Sequence, residues 1–322
     1  MNRYKRSIAF LAVAAFYLWL IHVATTHPLP SKDVPLIFYS NQQRQDLKLT
    51  LYHALKKAKN SITLEMYAIT DPDILKFLKK SPITPSILYD KSASPNLKRI
   101  GGTPYTGKGL MHRKILVIDH SLVFLGSANM TSQSLKFHDN LTLGFFHKEL
   151  ATFLETKTKE DYYAFSIKEQ EAELFLLPDL KGNAIKKLIN LIDTAKKKIH
   201  LAIFTLTHPL ITEALINAKK RGVKVKVAID FFTERGASQK AVKKLLNENI
   251  PIYCSQGNQL LHHKWACIDQ STLIIGSANW TLAAFAKNQD CFLVLSSLTA
   301  RQKKYMKNLW KTIRLESELK VE

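Results

Sequence analysis

Two segments of this chain carry the same chemically useful side chains in the same order. Leu110-Met-His-Arg-Lys-Ile-Leu-Val-Ile-Asp119 and Leu260-Leu-His-His-Lys-Trp-Ala-Cys-Ile-Asp269 superpose at an offset of 150 residues. The match continues through Gly126-Ser-Ala-Asn-Met-Thr131 and Gly276-Ser-Ala-Asn-Trp-Thr281. On an extended strand, side chains two apart share a face, so His112 projects with Lys114 and His262 with Lys264. Ser127 with Asn129, and Ser277 with Asn279, share a face in the same way just after a following strand. Two imidazoles, two ammonium groups and four short polar side chains suit a phosphodiester. One histidine attacks phosphorus, the other protonates the leaving oxygen, and the remaining groups hold the non-bridging oxygens. The lysines supply the positive charge, so the pattern calls for no metal and no cofactor.

The elements that must position these groups repeat as well. Ala54-Leu-Lys-Lys-Ala-Lys-Asn-Ser-Ile-Thr-Leu64 resembles Leu191-Ile-Asp-Thr-Ala-Lys-Lys-Lys-Ile-His-Leu201 at an offset of 137. Periodicity in the second half predicts helices over 183–197, 210–221 and 238–248, and strands over 199–206, 223–230, 251–254 and 263–269. Val223-Lys-Val-Lys-Val-Ala-Ile is β-branched, and Gly222 before it is a helix stop. Strands alternating with helices give an α/β fold of two pseudo-repeated halves, each a mixed sheet flanked by helices. The first half follows the same order, with the loop 100–109 in place of its third helix. The expected organisation is a leader over 1–27, a first half over 28–150, a connector over 151–180 and a second half over 181–322.

Composition narrows the partner class. Lys and Arg outnumber Asp and Glu by 47 to 26 among 322 residues, a formal charge of +21 that attracts phosphate in lipid head groups, nucleic acid or a smaller diester. Lys-rich stretches such as 196–198 and 219–221 read as solvated helix faces. Cys254, Cys267 and Cys291 lack metal-binding spacing and read as buried free thiols. His138 and His263, outside the paired pattern, read as ordinary structural histidines. Arg3, Lys5 and Arg6 precede an uncharged stretch, Ser7 to Thr26, with no clean small-residue cleavage site after it. This predicts an export signal or, preferably, an uncleaved membrane anchor, with the body facing out of the cytosol. The sequons at Asn129, Asn140 and Asn279 fall on or beside the site, where glycans would obstruct it, which favours a bacterial protein over passage through a glycosylating pathway.

The two H-x-K-x4-D segments, each followed by G-S-A-N, resemble the phospholipase D superfamily over about residues 36–295. The resemblance implies the phospholipase D-like fold and a covalent phosphohistidine intermediate resolved by water or another alcohol. It makes His112 and His262 nucleophile and acid, Lys114 and Lys264 phosphate ligands, and Ser127, Asn129, Ser277 and Asn279 supporting ligands. Asp119 and Asp269 have the opposite strand parity and are structural. Members of the family place a carboxylate about 28 residues after the histidine; here those positions are Asn140 and Asp290, with Asp139 one residue away from the first.

Within each copy, this pairs His112 with Asn140 and His262 with Asp290. A carboxylate favours imidazolium, whereas an amide carbonyl only fixes the tautomer. His112 is then expected to be the neutral nucleophile and His262 the protonated acid. The expected activity is hydrolysis or transphosphatidylation of phospholipids at a membrane surface. The alternatives are a metal-independent endonuclease of the same superfamily and a catalytically silent phosphate- or membrane-binding protein.

Overall fold

A computed structural model describes residues 3–25, 28–156, 161–257 and 259–321. The first sheet holds β1 (Leu36–Tyr39), β2 (Ile62–Met66), β3 (Ser86–Tyr89), β4 (Gly102–Pro104), β5 (Lys114–Ile118), β6 (Leu122–Gly126) and β7 (Thr142–Phe146), in the order β1-β7-β6-β5-β2-β3-β4. The second holds β8 (Tyr162–Ile167), β9 (Gln170–Leu176), β10 (Lys198–Ile203), β11 (Lys224–Ile229), β12 (Ile252–Ser255), β13 (Lys264–Ile268), β14 (Thr272–Gly276), β15 (Cys291–Leu295) and β16 (Ser317–Lys320), in the order β16-β12-β11-β10-β13-β14-β15-β9-β8. The first order is repeated inside the second, with β8 and β16 added at its edges. β2-β3-β4 and β10-β11-β12 run parallel while the motif strands pair antiparallel, so both sheets are mixed.

The helices are α1 (Arg3–Thr25), α2 (Leu47–Lys56), α3 (Pro72–Lys80), α4 (Ser132–Lys136), α5 (Lys148–Glu155), α6 (Asn183–Asp193), α7 (Pro209–Lys220), α8 (Phe231–Arg235), α9 (Gln239–Leu246), α10 (Leu282–Ala286) and α11 (Ala300–Leu315). Those expected over 183–197, 210–221 and 238–248 are α6, α7 and α9. In place of the first half's third helix stand a short 3-10 turn, Lys98–Ile100, and β4.

Strand alternation distributes the core. Ile115, Val117, Trp265 and Cys267 enter an apolar layer shared by both sheets, α5 and α11. Their neighbours Leu116 and Ile118 enter the outer core of the first half, and Ala266 and Ile268 that of the second. The motif strands are thus buried on both faces, as continuous apolar runs require. The two halves are joined by a core rather than by a linker. Residues 151–180, expected to be a connector, instead carry the end of α5 and the β8–β9 hairpin, and β9 pairs β15 as β1 pairs β7. Their polar pattern reflects an edge hairpin with one solvated face.

Within the expected leader, α1 spans Arg3–Thr25, with Phe10, Leu11, Tyr17, Leu18 and Trp19 exposed, and residues 1, 2, 26 and 27 lie outside the described residues. Among the described residues, no helix is long and apolar enough to cross a membrane.

Candidate active site

The motif hairpins β5–β6 and β13–β14 are fixed at their turns by the aspartates. Asp119 adopts φ +50° and Asp269 φ +51°, a left-handed backbone that Asp tolerates. Asp119 accepts the backbone N–H groups of Lys59, Asn60 and Ser61 at 2.7–3.0 Å, and Asp269 those of Lys196, Lys197 and Lys198 at 2.7–2.8 Å. Those amides lie at the start of β2 and β10, so each aspartate ties its hairpin to the neighbouring strand. Both carboxyls are held below the usual carboxylate range, because the amide bonds outweigh burial.

The glycine of each G-S-A-N segment answers a close approach. A Cβ on Gly126 would lie 2.3 Å from the carbonyl oxygen of Leu141, and one on Gly276 2.2 Å from that of Cys291. Only glycine lets β6 and β14 end against β7 and β15. The next residue therefore lies beside the residue that partners a histidine. Ser127 Oγ donates to Asn140 Oδ1 at 2.8 Å and Ser277 Oγ to Asp290 Oδ1 at 2.7 Å. Both serines are buried and support those partners.

The histidines lie just before β5 and β13, and their partners cross between the halves. His112 Nδ1 donates to Asp290 Oδ1 at 2.7 Å, and His262 Nδ1 donates to Asn140 Oδ1 at 3.0 Å. The Asn140 amide nitrogen bonds the carbonyls of Ser134 and His138, which leaves its oxygen to accept from the imidazole. The expected pairing within each copy, His112 with Asn140 and His262 with Asp290, is therefore corrected. The physical reason is a backbone exchange. Asp139 N–H donates to Leu260 O and His112 N–H to Gln289 O, each at 2.8–2.9 Å, which sets each partner residue beside the other half's motif. Asp139 bonds neither histidine; its buried carboxyl is pushed up to about 8 by desolvation and then by Glu316 and Asp230.

Among the described residues, no protein group bonds Nε2 of His112 or His262, although both rings are buried. Burial pushes His112 below the usual imidazole range against the opposing pull of Asp290. His262 falls well below it, through burial and then the charges of Lys264 and Lys114. Lys114 and Lys264 donate to the carbonyl oxygens of His112 and His262, and among the described residues neither forms an ion pair. Desolvation takes Lys114 down to about 7 and Lys264 well below the usual ammonium range. Asp290 stays below the usual carboxylate range because His112, Lys114 and Ser277 outweigh its desolvation. Asn129 and Asn279 each keep a buried amide oxygen with no partner. The oxygens of a phosphodiester anion match the donors of the cluster, the imidazole Nε2 positions and the lysines, whereas the unpaired oxygens of Asn129, Asn279 and Asp290 are acceptors that call for a donor instead. Among the described residues no group of three or more His, Cys, Asp or Glu side chains could hold a metal.

Several site residues have no place in the motif. Tyr67 and Phe204 are equivalent lids: their rings meet His112 and His262 edge-on at 5.2 and 5.1 Å and lie 5.2 and 5.0 Å from the ammonium groups of Lys114 and Lys264. Asp90 and Asp230, at the ends of β3 and β11, each accept the backbone N–H before a histidine at 3.0 Å. Their signal was legible as Leu88-Tyr-Asp90 against Ala228-Ile-Asp230, an apolar strand end followed by Asp in both copies. Arg113 pairs with Glu65 at 2.9 Å and donates to Asp290 O at 3.2 Å, while its counterpart His263 meets Gln42 at 2.7 Å. His138 sits closer to the site than expected, with its ring 6.0 Å from that of His262.

A family model described as "Cardiolipin synthase, PLD-like domain" matches residues 87–162 and 188–311, more than half of the chain. The mitochondrial cardiolipin hydrolase of Xenopus tropicalis is 29% identical over 112 residues, covering 35% of this chain and 53% of its own. A phospholipase D of Rickettsia felis is 33% identical over 112 residues, covering 34% of this chain and 54% of its own. The matched region thus spans about half the length of these two relatives. The phosphatidylserine synthase of Haemophilus influenzae Rd KW20 shares the fold at a TM-score of 0.70 and 12% identity, covering 91% of this chain and 89% of that one.

Proposed function

We propose that this chain, which belongs to the phospholipase D superfamily, hydrolyses phospholipid phosphodiesters through a phosphohistidine on His112. The observation that carries the reading is the crossed pair of imidazoles, each held through Nδ1 with Nε2 left for substrate, beside two buried lysines.

His112 is the nucleophile, but for a reason opposite to the one the sequence suggested. Attack of its Nε2 on phosphorus makes the ring cationic, and Asp290 stabilises that charge while Nδ1 keeps its proton. The P–O bond to the leaving alcohol breaks as His262 Nε2–H passes its proton to that oxygen. His262 sits beside a neutral amide and two buried lysines, and burial with their charge lowers its hold on a proton; the bound diester anion opposes this, and His262 gives the proton up readily. Water then attacks phosphorus, neutral His262 takes its proton, the P–N bond breaks, and His112 returns to its starting state. An alcohol in place of water completes transphosphatidylation. Lys114 and Lys264, with Asn129 and Asn279, hold the non-bridging oxygens.

The named activities of the matched relatives support a lipid substrate, as does the apolar surface of α1, which is suited to bringing the site to a bilayer on the outer side of the cytosolic membrane. The test is incubation of purified protein, without added divalent metal, with labelled phosphatidylcholine, phosphatidylglycerol and single-stranded DNA in separate reactions. Release of a lipid head group is expected. Cleavage of DNA alone would replace this reading with that of an endonuclease, and no cleavage of any substrate would favour a phosphate-binding protein.

A further inference from the structure

A second cationic concavity lies away from the catalytic cluster, between α11 and the second sheet. Its cavity measures about 500 Å³, within the range of small-molecule sites. Lys303, Lys307, Lys311 and Arg314 project into it from α11, at helical spacings that align them along one side. Lys198 on β10 and Lys226 on β11, the latter in register with His200, line the cavity opposite them. No acidic side chain lines the cavity, and none of these six cations has an ion-pair partner among the described residues.

The floor is aromatic. His200 stacks on Trp310 at 4.5 Å and 12°, and Trp265 lines the cavity, fully buried, with an indole N–H that has no partner. A buried unpaired donor among unpaired cations is unfavourable until an acceptor with negative charge arrives. The site is distinct from the catalytic one. Lys198 opens β10 whereas Lys264 pairs with Ile203 at its far end, ~17 Å away along the strand.

We propose that this cavity binds a small compound bearing two or more phosphate groups, either soluble or as a lipid head group. The cations extend over ~16 Å of helix, longer than one phosphate needs. Trp310 and His200 cover each other's faces, and Trp310 is buried, so no ring is offered for a nucleic-acid base to stack on. The concave shape favours an inserted group over a flat bilayer surface.

Full-length protein titrated with inorganic tripolyphosphate at physiological salt tests this, read by calorimetry and by the fluorescence of the two cavity tryptophans. Saturable one-to-one binding is expected. The double variant Lys307→Glu/Lys311→Glu, at exposed positions, should weaken it at least ~10-fold while basal phosphodiester hydrolysis stays unchanged. The control Lys186→Glu/Lys244→Glu, with the same charge change on α6 and α9, should bind as the parent does. In a second arm, binding only to vesicles containing a bisphosphorylated inositol lipid, lost in the same variant, would support the site with a lipid source. Equal loss in the control, unchanged binding in the α11 variant, or tighter competition by a DNA oligonucleotide than by tripolyphosphate would overturn the proposal.

Discussion

The two halves of the catalytic cluster agree in scaffold and differ in charge. Asp119 and Asp269 tie their hairpins in the same way, Ser127 and Ser277 bond the same kind of partner, and Lys114 and Lys264 donate to equivalent carbonyls. Asp290 beside His112 and Asn140 beside His262 break the equivalence. A repeat therefore supplies the geometry, and one carboxylate-for-amide difference sets the two imidazoles in unlike surroundings.

Removing the imidazoles one at a time should break the symmetry most visibly. His112→Ala is expected to lose ~10⁴-fold or more in kcat with any leaving group, because no covalent step remains. His262→Ala should lose ~10²–10⁴-fold with an alkyl diester but recover much of that with a nitrophenyl ester, whose leaving oxygen needs no proton. Recovery in His112→Ala instead would reverse the roles, as would alkali-stable, acid-labile phosphate trapped on His262.

The partners come next. Asp290→Asn should cost ~10³-fold, since the phosphorylated ring loses its counter-charge, whereas Asn140→Ala should cost far less. Asn140→Asp gives His262 the partner that His112 has. A neighbouring carboxylate raises the pKa of His262, so the protonated acid persists to higher pH, and the alkaline limb of kcat/KM should move upward. A pH profile with that limb unmoved would show that His262 is not the group titrating there.

How much of this was legible in the sequence follows from the kind of signal each feature leaves. Strand and helix order in both halves could be read because apolar periodicity is local, and His112, Lys114, His262 and Lys264 because chance does not copy neighbours at equal spacing. The exchange of Asp290 and Asn140 could not be read that way. A repeat identifies equivalent positions, but it does not say which copy a side chain faces, and that is settled by the long-range backbone bonds of His112 to Gln289 and Asp139 to Leu260. The β8–β9 hairpin was missed because its edge position gives it the polar pattern of a linker. Tyr67 and Phe204 were missed because single aromatics after β2 and β10 look like ordinary core residues.

Where the halves agree, equal losses are expected. Asp119→Ala and Asp269→Ala each orphan three backbone amides, and each should destabilise the fold by ~2 kcal/mol in urea denaturation. Both carboxyls are lower in the folded state than in the unfolded chain. Their contribution is therefore fully present above the unfolded carboxylate pKa of ~3.9 and is lost as pH falls through the folded value. The difference in stability between parent and variant should shrink in acid by the same amount at both sites; a clear inequality would mean that the two hairpins are anchored differently.

The smallest effect tests whether the lids share in the asymmetry. Tyr67 differs from Phe204 by one hydroxyl, and its ring already meets His112 and Lys114 as Phe204 meets His262 and Lys264. If the rings act through packing and through the ammonium groups above them, Tyr67→Phe keeps both contacts and should change kcat/KM by less than ~3-fold, with the pH profile intact. A loss approaching that of Asp290→Asn would place the hydroxyl on the substrate. The division between the halves would then rest on two residues, with Tyr67 on the nucleophile's side and nothing equivalent opposite it.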